Sequence, residues 1–178
     1  FIHIANSAAA LTNNGAHKNI IRWGIGLYGL SPDINNLGDS ESLKLKPAMR
    51  LKAKLYLVKV VKAGVSVGYG GTAITKSDTK LGVVTLGYAD GVPRNANNLA
   101  GVFVDGKRAP LIGRVSMDQF VVDLGINSSA KTGDDVIVFG DGSSGEYTVD
   151  EWANASGTIN YEIVTRIGSR VPRIYPRE

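Results

Sequence analysis

Two tyrosines that lie between glycines are the residues of this sequence best placed to do chemistry. Tyr69 stands between Gly68 and Gly70, and Tyr88 follows Gly87. Glycine permits positive φ angles and close backbone approach, so each ring lies at the edge of a strand-like run where the chain exposes a side chain. An exposed phenol is available for hydrogen bonding or proton transfer. The same pattern also fits hairpin glycines with aromatic rings packed across strands, and both interpretations stay open here.

A second candidate site follows from the start of the chain. Residues 1–5 are apolar and predict a strand, and Asn6-Ser7 predicts an N-cap for a short helix that Asn14-Gly15 ends. Residues 19–22 predict a second strand, which a glycine-broken turn and a short helical start at 27–30 follow. Two successive strand-helix units of this kind are typical of the closing turns of a (β/α)8 barrel.

In such a barrel the loops after the last two strands often hold a phosphate through backbone N–H groups at helix N-termini. Ser7, Gly24 and Ile25 occupy the positions of these donors. Simple helix capping without any ligand explains the same residues, so this pattern too leaves two interpretations.

Composition limits the function classes. The 178 residues allow one full domain, or one domain and part of another, with a sizeable core. Hydrophobic residues make up 43% of the chain, yet its apolar runs are too short to span a bilayer. The net charge of +4 is scattered and aromatic residues are few, which argues against nucleic-acid binding. Cysteine is absent, which excludes disulfides and favours a cytoplasmic location.

The remainder of the chain predicts a mainly β domain. Residues 31–42 are rich in Pro, Asn, Gly and Asp and predict a linker. From Leu51 to Val61, apolar residues at 51, 53, 55 and 57 alternate with polar or aromatic ones, which is the period of a half-buried strand. Further strands are predicted at 65–69, 80–86, 102–104, 109–112, 120–123, 135–139 and 170–175.

Two short helices are predicted near the C-terminal end. Thr148 and Glu151 have the spacing of a capping box, and Gly157 ends that helix. Thr158 is the predicted cap of a second helix that carries Tyr161.

Metal and nucleotide chemistry are poorly supported. His3 and His17 lie far from any carboxylate cluster, so no metal site is predicted. The glycines at Gly24 and Gly26 lack the third glycine and the downstream acid of a dinucleotide fingerprint, and there is no Walker loop.

Seven ordered blocks of this sequence carry a resemblance to a known family. They run from His3 to Glu162 in the family's order and spacing. They resemble alanine racemase, a barrel-containing pyridoxal 5'-phosphate enzyme, and the resemblance continues through the predicted strand that ends at Tyr175. The blocks are His3-Ile4-Ala5-Asn6-Ser7-Ala8-Ala9, Arg22-Trp23-Gly24-Ile25-Gly26-Leu27-Tyr28-Gly29, Lys46-Pro47-Ala48-Met49, Val67-Gly68-Tyr69-Gly70, Gly87-Tyr88-Ala89-Asp90-Gly91, Gly113-Arg114-Val115-Ser116-Met117-Asp118 and Thr158-Ile159-Asn160-Tyr161-Glu162.

The resemblance implies a cofactor site at the start of the chain. Ser7, Gly24, Ile25 and Tyr161 would hold the phosphate of pyridoxal 5'-phosphate, in agreement with the phosphate site inferred above. Arg22 would face the pyridine nitrogen. A permanently charged arginine disfavours a protonated ring, so the cofactor would be a weaker electron sink.

The resemblance also implies roles in the β domain. Tyr69 would be one of two opposed bases and would take the α-proton of L-alanine, although a tyrosine with a pKa near ~10 needs a neighbouring cation or donor for that task. Met117 would contact the substrate carboxylate through its backbone N–H. Tyr88, Arg94 and Arg114 would line the path into the site.

In this family the β domain of one subunit completes the site held by the other subunit's barrel, so a homodimer is implied. The lysine that carries the cofactor in the family has no counterpart in this chain. Phe1 is not an initiator methionine and the first residues already predict a buried strand, so we expect a piece of a longer protein that cannot racemise alanine alone. Gly68 and Ser116 replace residues that are often serine and cysteine in the family.

The sequence therefore predicts a mainly β domain at 39–178 with two short helices, preceded at 1–38 by the last βα units of a (β/α)8 barrel and a linker. The resemblance implies interconversion of L- and D-alanine, which supplies peptidoglycan in bacteria. A racemase for serine or several amino acids is an alternative, as is a β-rich dimerisation module without catalysis. A related decarboxylase is disfavoured, because that group is expected to carry an acidic residue where this chain has Arg22.

Overall fold

The computed structural model describes residues 1–175 and divides the chain into two compact units. The first comprises Phe1–Met49, and the second begins at Arg50. Within residues 1–175, no helix combines the length and apolar character needed to cross a membrane.

The first unit consists of short helices and extended segments. Helix α1 (Ser7–Thr12) begins where the Asn6 side chain accepts a hydrogen bond from the Ala9 N–H. Helix α2 (Ile34–Leu37) is a single turn within the predicted linker. Two 3-10 turns complete the unit, at Asn14–Ala16 and Ile25–Tyr28.

The strands predicted at 1–5 and 19–22 are wrong as regular elements. The two segments pair in parallel only at the bridge between Asn6 and Arg22, where the Arg22 N–H also donates to the Ala5 carbonyl at 2.7 Å. Apolar residues favour strands, but a strand also needs a partner along several residues. Here the Asn19 and Ile20 N–H groups also donate to the Ile2 carbonyl, but these bonds and the bridge do not form the regular ladder of a strand pair.

The second unit is built on a six-stranded sheet in which all neighbouring strands are antiparallel. The strand order is β6-β5-β8-β1-β4-β7, and a bridge between Leu111 and Val122 brings the two outer edges together, so that the sheet is nearly closed. A separate hairpin pairs β2 with β3. The strands are β1 (Leu51–Val61), β2 (Ser66–Val67), β3 (Ala73–Ile74), β4 (Thr79–Val84), β5 (Gly101–Val104), β6 (Lys107–Pro110), β7 (Phe120–Asp123) and β8 (Asp135–Phe139).

Strand β1 has the predicted bounds, but its alternation fails halfway. Leu51 and Leu55 are buried, whereas Leu57 is exposed. The register against β4 shifts between Leu55 and Leu57, which indicates a bulge. An extra residue at a bulge moves the following side chains to the other face, so Leu57 leaves the buried row. Val61 is buried in a different cluster, with Val67 and Leu81.

Two helices follow the last strand of the sheet. Helix α3 (Val149–Ser156) has the predicted capping box of Thr148 and Glu151 and ends at Gly157 in the left-handed region. It places Trp152 in the core, where the indole N–H donates to the Val138 carbonyl at 2.7 Å and the ring meets Phe120 edge-on. These elements confirm the prediction of a mainly β domain with two helices.

Helix α4 (Asn160–Arg166) differs from the prediction at its start, since its N-cap is Ile159 and Thr158 makes no cap. The Thr158 hydroxyl instead bonds the Glu162 carboxylate. The strand predicted at 170–175 is also wrong. Arg170 lies in a turn, and the Arg173 guanidinium donates to the carbonyls of Ile167, Gly168 and Val171, which folds this segment back on the helix end.

Candidate functional site

In the first unit, Ser7 lies at the centre of the segment predicted to hold a phosphate. Its side chain is buried, and its Oγ accepts hydrogen bonds from the Gly24 N–H at 3.0 Å and the Gly26 N–H at 3.3 Å. The structure thus brings Ser7, Gly24 and Ile25 together. Within the described part of the chain the Ile25 N–H has no acceptor, so it is available to a ligand.

Arg22 lies beside this segment. Its backbone pairs with Ala5 and Asn6, and one guanidinium nitrogen donates to the Ile4 carbonyl at 3.3 Å. A single long hydrogen bond leaves most of the five guanidinium donors available, and the residue is exposed. A permanent positive charge therefore lies next to the predicted phosphate donors.

In the second unit, Tyr69 opens a 3-10 turn, Tyr69–Gly71, between β2 and β3, and its side chain is 72% exposed. The turn is held by glycines. Gly68 has φ of +75° and ψ of 179°, and a β-carbon there would lie 2.9 Å from the Arg114 nitrogen. A β-carbon at Gly113 would likewise lie 2.8 Å from the Val67 carbonyl oxygen. The two backbones cross where no side chain fits, and this crossing fixes the position of Tyr69.

Tyr88 opens a second 3-10 turn, Tyr88–Asp90, that lies against the segment carrying Met117. The Tyr88 N–H donates to the Ser116 carbonyl at 3.0 Å, and the Ala89 N–H donates to the Met117 carbonyl at 2.9 Å. A β-carbon at Gly87 would lie 2.2 Å from the Met117 oxygen, so this approach also requires glycine. The glycines around both tyrosines thus serve close backbone contacts.

One segment, residues 113–118, therefore joins the two tyrosine turns. It contacts Gly68 at its start and receives the hydrogen bonds of the Tyr88 turn towards its end. Met117 on this segment is 53% exposed, and its N–H has no acceptor within residues 1–175. The sequence-predicted residues Tyr69, Tyr88, Arg114 and Met117 are thus positioned by one scaffold.

Arg94 and Arg114 are both exposed and form no ion pair with another described residue. Arg114 follows Gly113 directly, and its guanidinium lies near Gly70. An arginine without a carboxylate partner is free to attract an anion.

Tyr161 lies half-buried in the first turn of α4, with its carbonyl accepting a hydrogen bond from the Thr165 hydroxyl.

Sequence similarity decides the family. The family described as "Alanine racemase, C-terminal domain" matches residues 48–175. The chain belongs to this family.

The alanine racemase of Streptomyces coelicolor is 51% identical over 176 residues, which cover 99% of this chain and 44% of that protein. The alanine racemase of Mycobacterium ulcerans is 44% identical, with 97% and 44% covered. The crystal structure of alanine racemase from a D-cycloserine producing Streptomyces lavendulae superposes with a TM-score of 0.94 at 50% identity, covering 99% of this chain and 46% of that one. This chain therefore spans less than half the length of the relatives it matches.

The chain is also similar to a less identical relative whose structure contains a bound ligand. The alanine racemase of Bacillus anthracis, whose structure is described with bound L-Ala-P, has a TM-score of 0.85 at 39% identity and covers 99% of this chain and 45% of that one. The alanine racemase C-terminal domain match begins at residue 48, next to the division between the two units at Arg50.

Sequence reasoning missed an ion bridge beside the Tyr88 turn. Asp90 is buried and accepts the Gly87 N–H at 2.9 Å, while its other oxygen lies 3.2 Å from Arg170 Nε. Arg170 Nη2 also pairs with Asp118 at 2.7 Å. The hydrogen bond to Asp118 is the largest cause, and the charge of Asp90 the next, of the raised pKa of Arg170. Asp90, three residues after Gly87, was a visible capping signal, but Arg170 had none because its partners are distant in sequence.

A buried carboxylate was also missed. Glu146 is fully buried and pairs with Arg50 at 2.8 Å, while its second oxygen accepts the Ser144 N–H. Such a pair fixes the loop between β8 and α3. Residues 1–175 bring no three His, Asp or Glu side chains into a group that would hold a metal ion.

Proposed function

We propose that this chain is the C-terminal part of an alanine racemase that interconverts L- and D-alanine. The observation that carries the proposal is alignment over 97–99% of the chain with proteins named alanine racemase, at 44–52% identity. The exposed Tyr69 and the N–H groups of Ile25 and Met117, which have no acceptor among the described residues, support the proposal.

Pyridoxal 5'-phosphate is the cofactor we propose, and the residues of the first unit fit it. The Ile25 N–H and the buried Ser7 hydroxyl would bind its phosphate, with Gly24 allowing close approach. Arg22 would hold its guanidinium opposite the ring nitrogen. When bound, this cofactor supplies an electron-withdrawing ring that acidifies the α-proton of the amino acid.

In the second unit, Tyr69 would take the α-proton of L-alanine at its phenol oxygen. Its 72% exposure leaves the hydroxyl open to substrate, and the exposed Arg114 lies beside the same turn. The Met117 N–H would bind the substrate carboxylate. Tyr88, Arg94 and Arg114 would line the approach and attract the carboxylate.

The partner in this proposal is a second copy of the same protein. A homodimer would let Tyr69 and Met117 complete the cofactor site held by the other subunit. We further propose that the enzyme acts in the cytoplasm, where its D-alanine would enter peptidoglycan synthesis, and that it binds neither nucleic acid nor membrane.

The residues that choose between substrates are not all in this chain, so serine or several amino acids are the alternative substrates. A β-rich dimerisation module is the second alternative, and the exposed phenol of Tyr69 at a glycine crossing favours catalysis over it.

The test measures formation of D-alanine from L-alanine with added pyridoxal 5'-phosphate. We expect activity from the complete polypeptide, none from residues 1–178 alone, and a loss of more than about a hundredfold in the complete Tyr69→Phe variant, since one proton-transfer group is removed. Tyr56→Phe, a change of another exposed tyrosine, is the matched control and should retain activity. Turnover of L-serine but not L-alanine would favour the alternative substrate, and an active Tyr69→Phe variant would refute the role of this tyrosine.

A further inference from the structure

The segment that follows helix α4 contacts both parts of the site in the second unit. The Gly168 N–H donates to the Asp90 carbonyl at 2.9 Å, and a β-carbon at Gly91 would lie 2.3 Å from the Arg166 carbonyl. The backbone of residues 166–168 is therefore packed against the end of the Tyr88 turn.

Arg170, further along this segment, bridges the Tyr88 turn to the Met117 segment. Its Nε contacts Asp90, which is 8% exposed and holds the Gly87 N–H, and its Nη2 contacts Asp118, the residue next to Met117. One guanidinium thus joins two carboxylates that belong to separate segments. A planar guanidinium fixes both directions at once, which a lysine ammonium does not.

We propose that Arg170 is a positioning residue that sets the Tyr88 turn and the Met117 N–H for substrate binding. Without it, Asp90 would be a buried carboxylate lacking its cation, and Asp118 would no longer be tied to the turn. The two hydrogen bonds from Tyr88 and Ala89 to the Met117 segment would remain, so the site would loosen without being lost. The inference rests on the racemase function proposed above, because it assigns a consequence for alanine binding.

The experiment uses the complete polypeptide with pyridoxal 5'-phosphate and the variants Arg170→Gln and Arg170→Lys. Met117 is proposed to bind the substrate carboxylate in ground and transition states alike, so we expect Arg170→Gln to raise KM for alanine about fivefold with kcat changed less than about twofold. Arg170→Lys should recover part of this loss, because it keeps the charge and one contact. Arg166→Gln is the matched control and should leave KM unchanged, since the only ion pair of Arg166 among residues 1–175 is with Glu162 on the surface of α4.

A second measurement does not depend on activity. Hydrogen exchange of the Tyr88 and Ala89 amides should quicken about tenfold in Arg170→Gln and stay unchanged in Arg166→Gln. If the wild-type protein makes no D-alanine, the proposed function fails, and exchange alone decides whether Arg170 holds the turn. If Arg170→Gln does not fold, Arg170→Lys and Asp118→Asn provide the same comparison. Wild-type KM and wild-type exchange in the Arg170 variants would overturn the inference.

Discussion

The two units differ in how far they bury their apolar side chains. The second unit buries Trp152, Phe120, Phe139 and Leu55 between its sheet and helices. In the first unit the buried apolar side chains are those of Ala5, Ala16 and Leu30, while Ile2, Ile4, Ile20, Ile21 and Leu27 are exposed.

This difference indicates which unit carries its own core. The antiparallel sheet pairs and covers its strands within the chain, as a self-contained domain must. The extended segments of the first unit show the apolar surface expected of barrel strands, which are normally buried on both faces. We therefore propose that further barrel elements cover the first unit in the complete protein.

The largest expected effect comes from the centre of the second unit. Trp152→Ala removes a fully buried ring and its hydrogen bond to Val138, so the free energy of unfolding of the sheet should fall by about 3–5 kcal/mol. Urea denaturation of residues 1–178 followed by circular dichroism measures this. Tyr56→Ala, which truncates an exposed aromatic on β1, should cost less than about 1 kcal/mol. Equal costs would contradict a core centred on Trp152.

A smaller effect is expected at the glycine crossing beside Tyr69. Gly68→Ala places a β-carbon 2.9 Å from the Arg114 nitrogen at a backbone conformation that side chains rarely adopt, so it should cost about 1–3 kcal/mol and displace Tyr69. Gly64→Ala is the matched control. Its φ is also positive, at +81°, but its β-carbon would meet no atom within 4 Å, so it should cost only about 1 kcal/mol. A Gly68→Ala protein as stable as Gly64→Ala would show that the crossing is loose.

The smallest effect concerns pH and compares one carboxylate in each unit. The hydroxyl and backbone N–H of Ser129 hold the pKa of Asp105 below its ordinary value. Because the folded pKa is the lower one, the carboxylate stabilises the fold above the ordinary value of 3.8, and this contribution is lost as pH falls through the folded pKa. In the Asp105→Asn variant, the free energy of unfolding of the sheet should therefore depend less on pH below about pH 4.

Asp39 is the counterpart in the first unit, with its pKa lowered in the same way by the N–H and hydroxyl of Ser42. Asp39→Asn should leave the acid dependence of the sheet unchanged, since its bonds stay within one turn. If both variants weakened the pH dependence of sheet unfolding equally, the two carboxylates would not contribute separately. Asparagine also tolerates the left-handed conformation of Asp105, so the change isolates the charge.

Sequence reasoning succeeded where local signals and the final structure agree. The bounds of β1, β7 and β8 and the capping box of α3 followed from alternation and from Thr148-x-x-Glu151. It failed for the apolar segments of the first unit, because a strand depends on a partner that composition does not reveal. The bulge after Leu55 and the bridge through Arg170 were also missed, since each depends on residues far away in sequence.

In the site, residue types and the family resemblance led to Tyr69, Tyr88, Met117 and Arg114, and the structure adds the reason they lie on one scaffold. From sequence alone, the glycines at 68 and 87 also fitted ordinary hairpins. Their function as contact points was invisible, because it depends on which backbones cross.

We propose that this chain supplies Tyr69 to a cofactor site held by another copy. The most direct test mixes two inactive complete proteins, one carrying Tyr69→Phe and the other carrying Ser7→Ala with Arg22→Ala. In a shared-site dimer, random exchange of subunits gives about half mixed dimers with one intact site each, so about a quarter of wild-type D-alanine formation should return. No recovery, with mixed dimers present by native mass spectrometry, would contradict the claim.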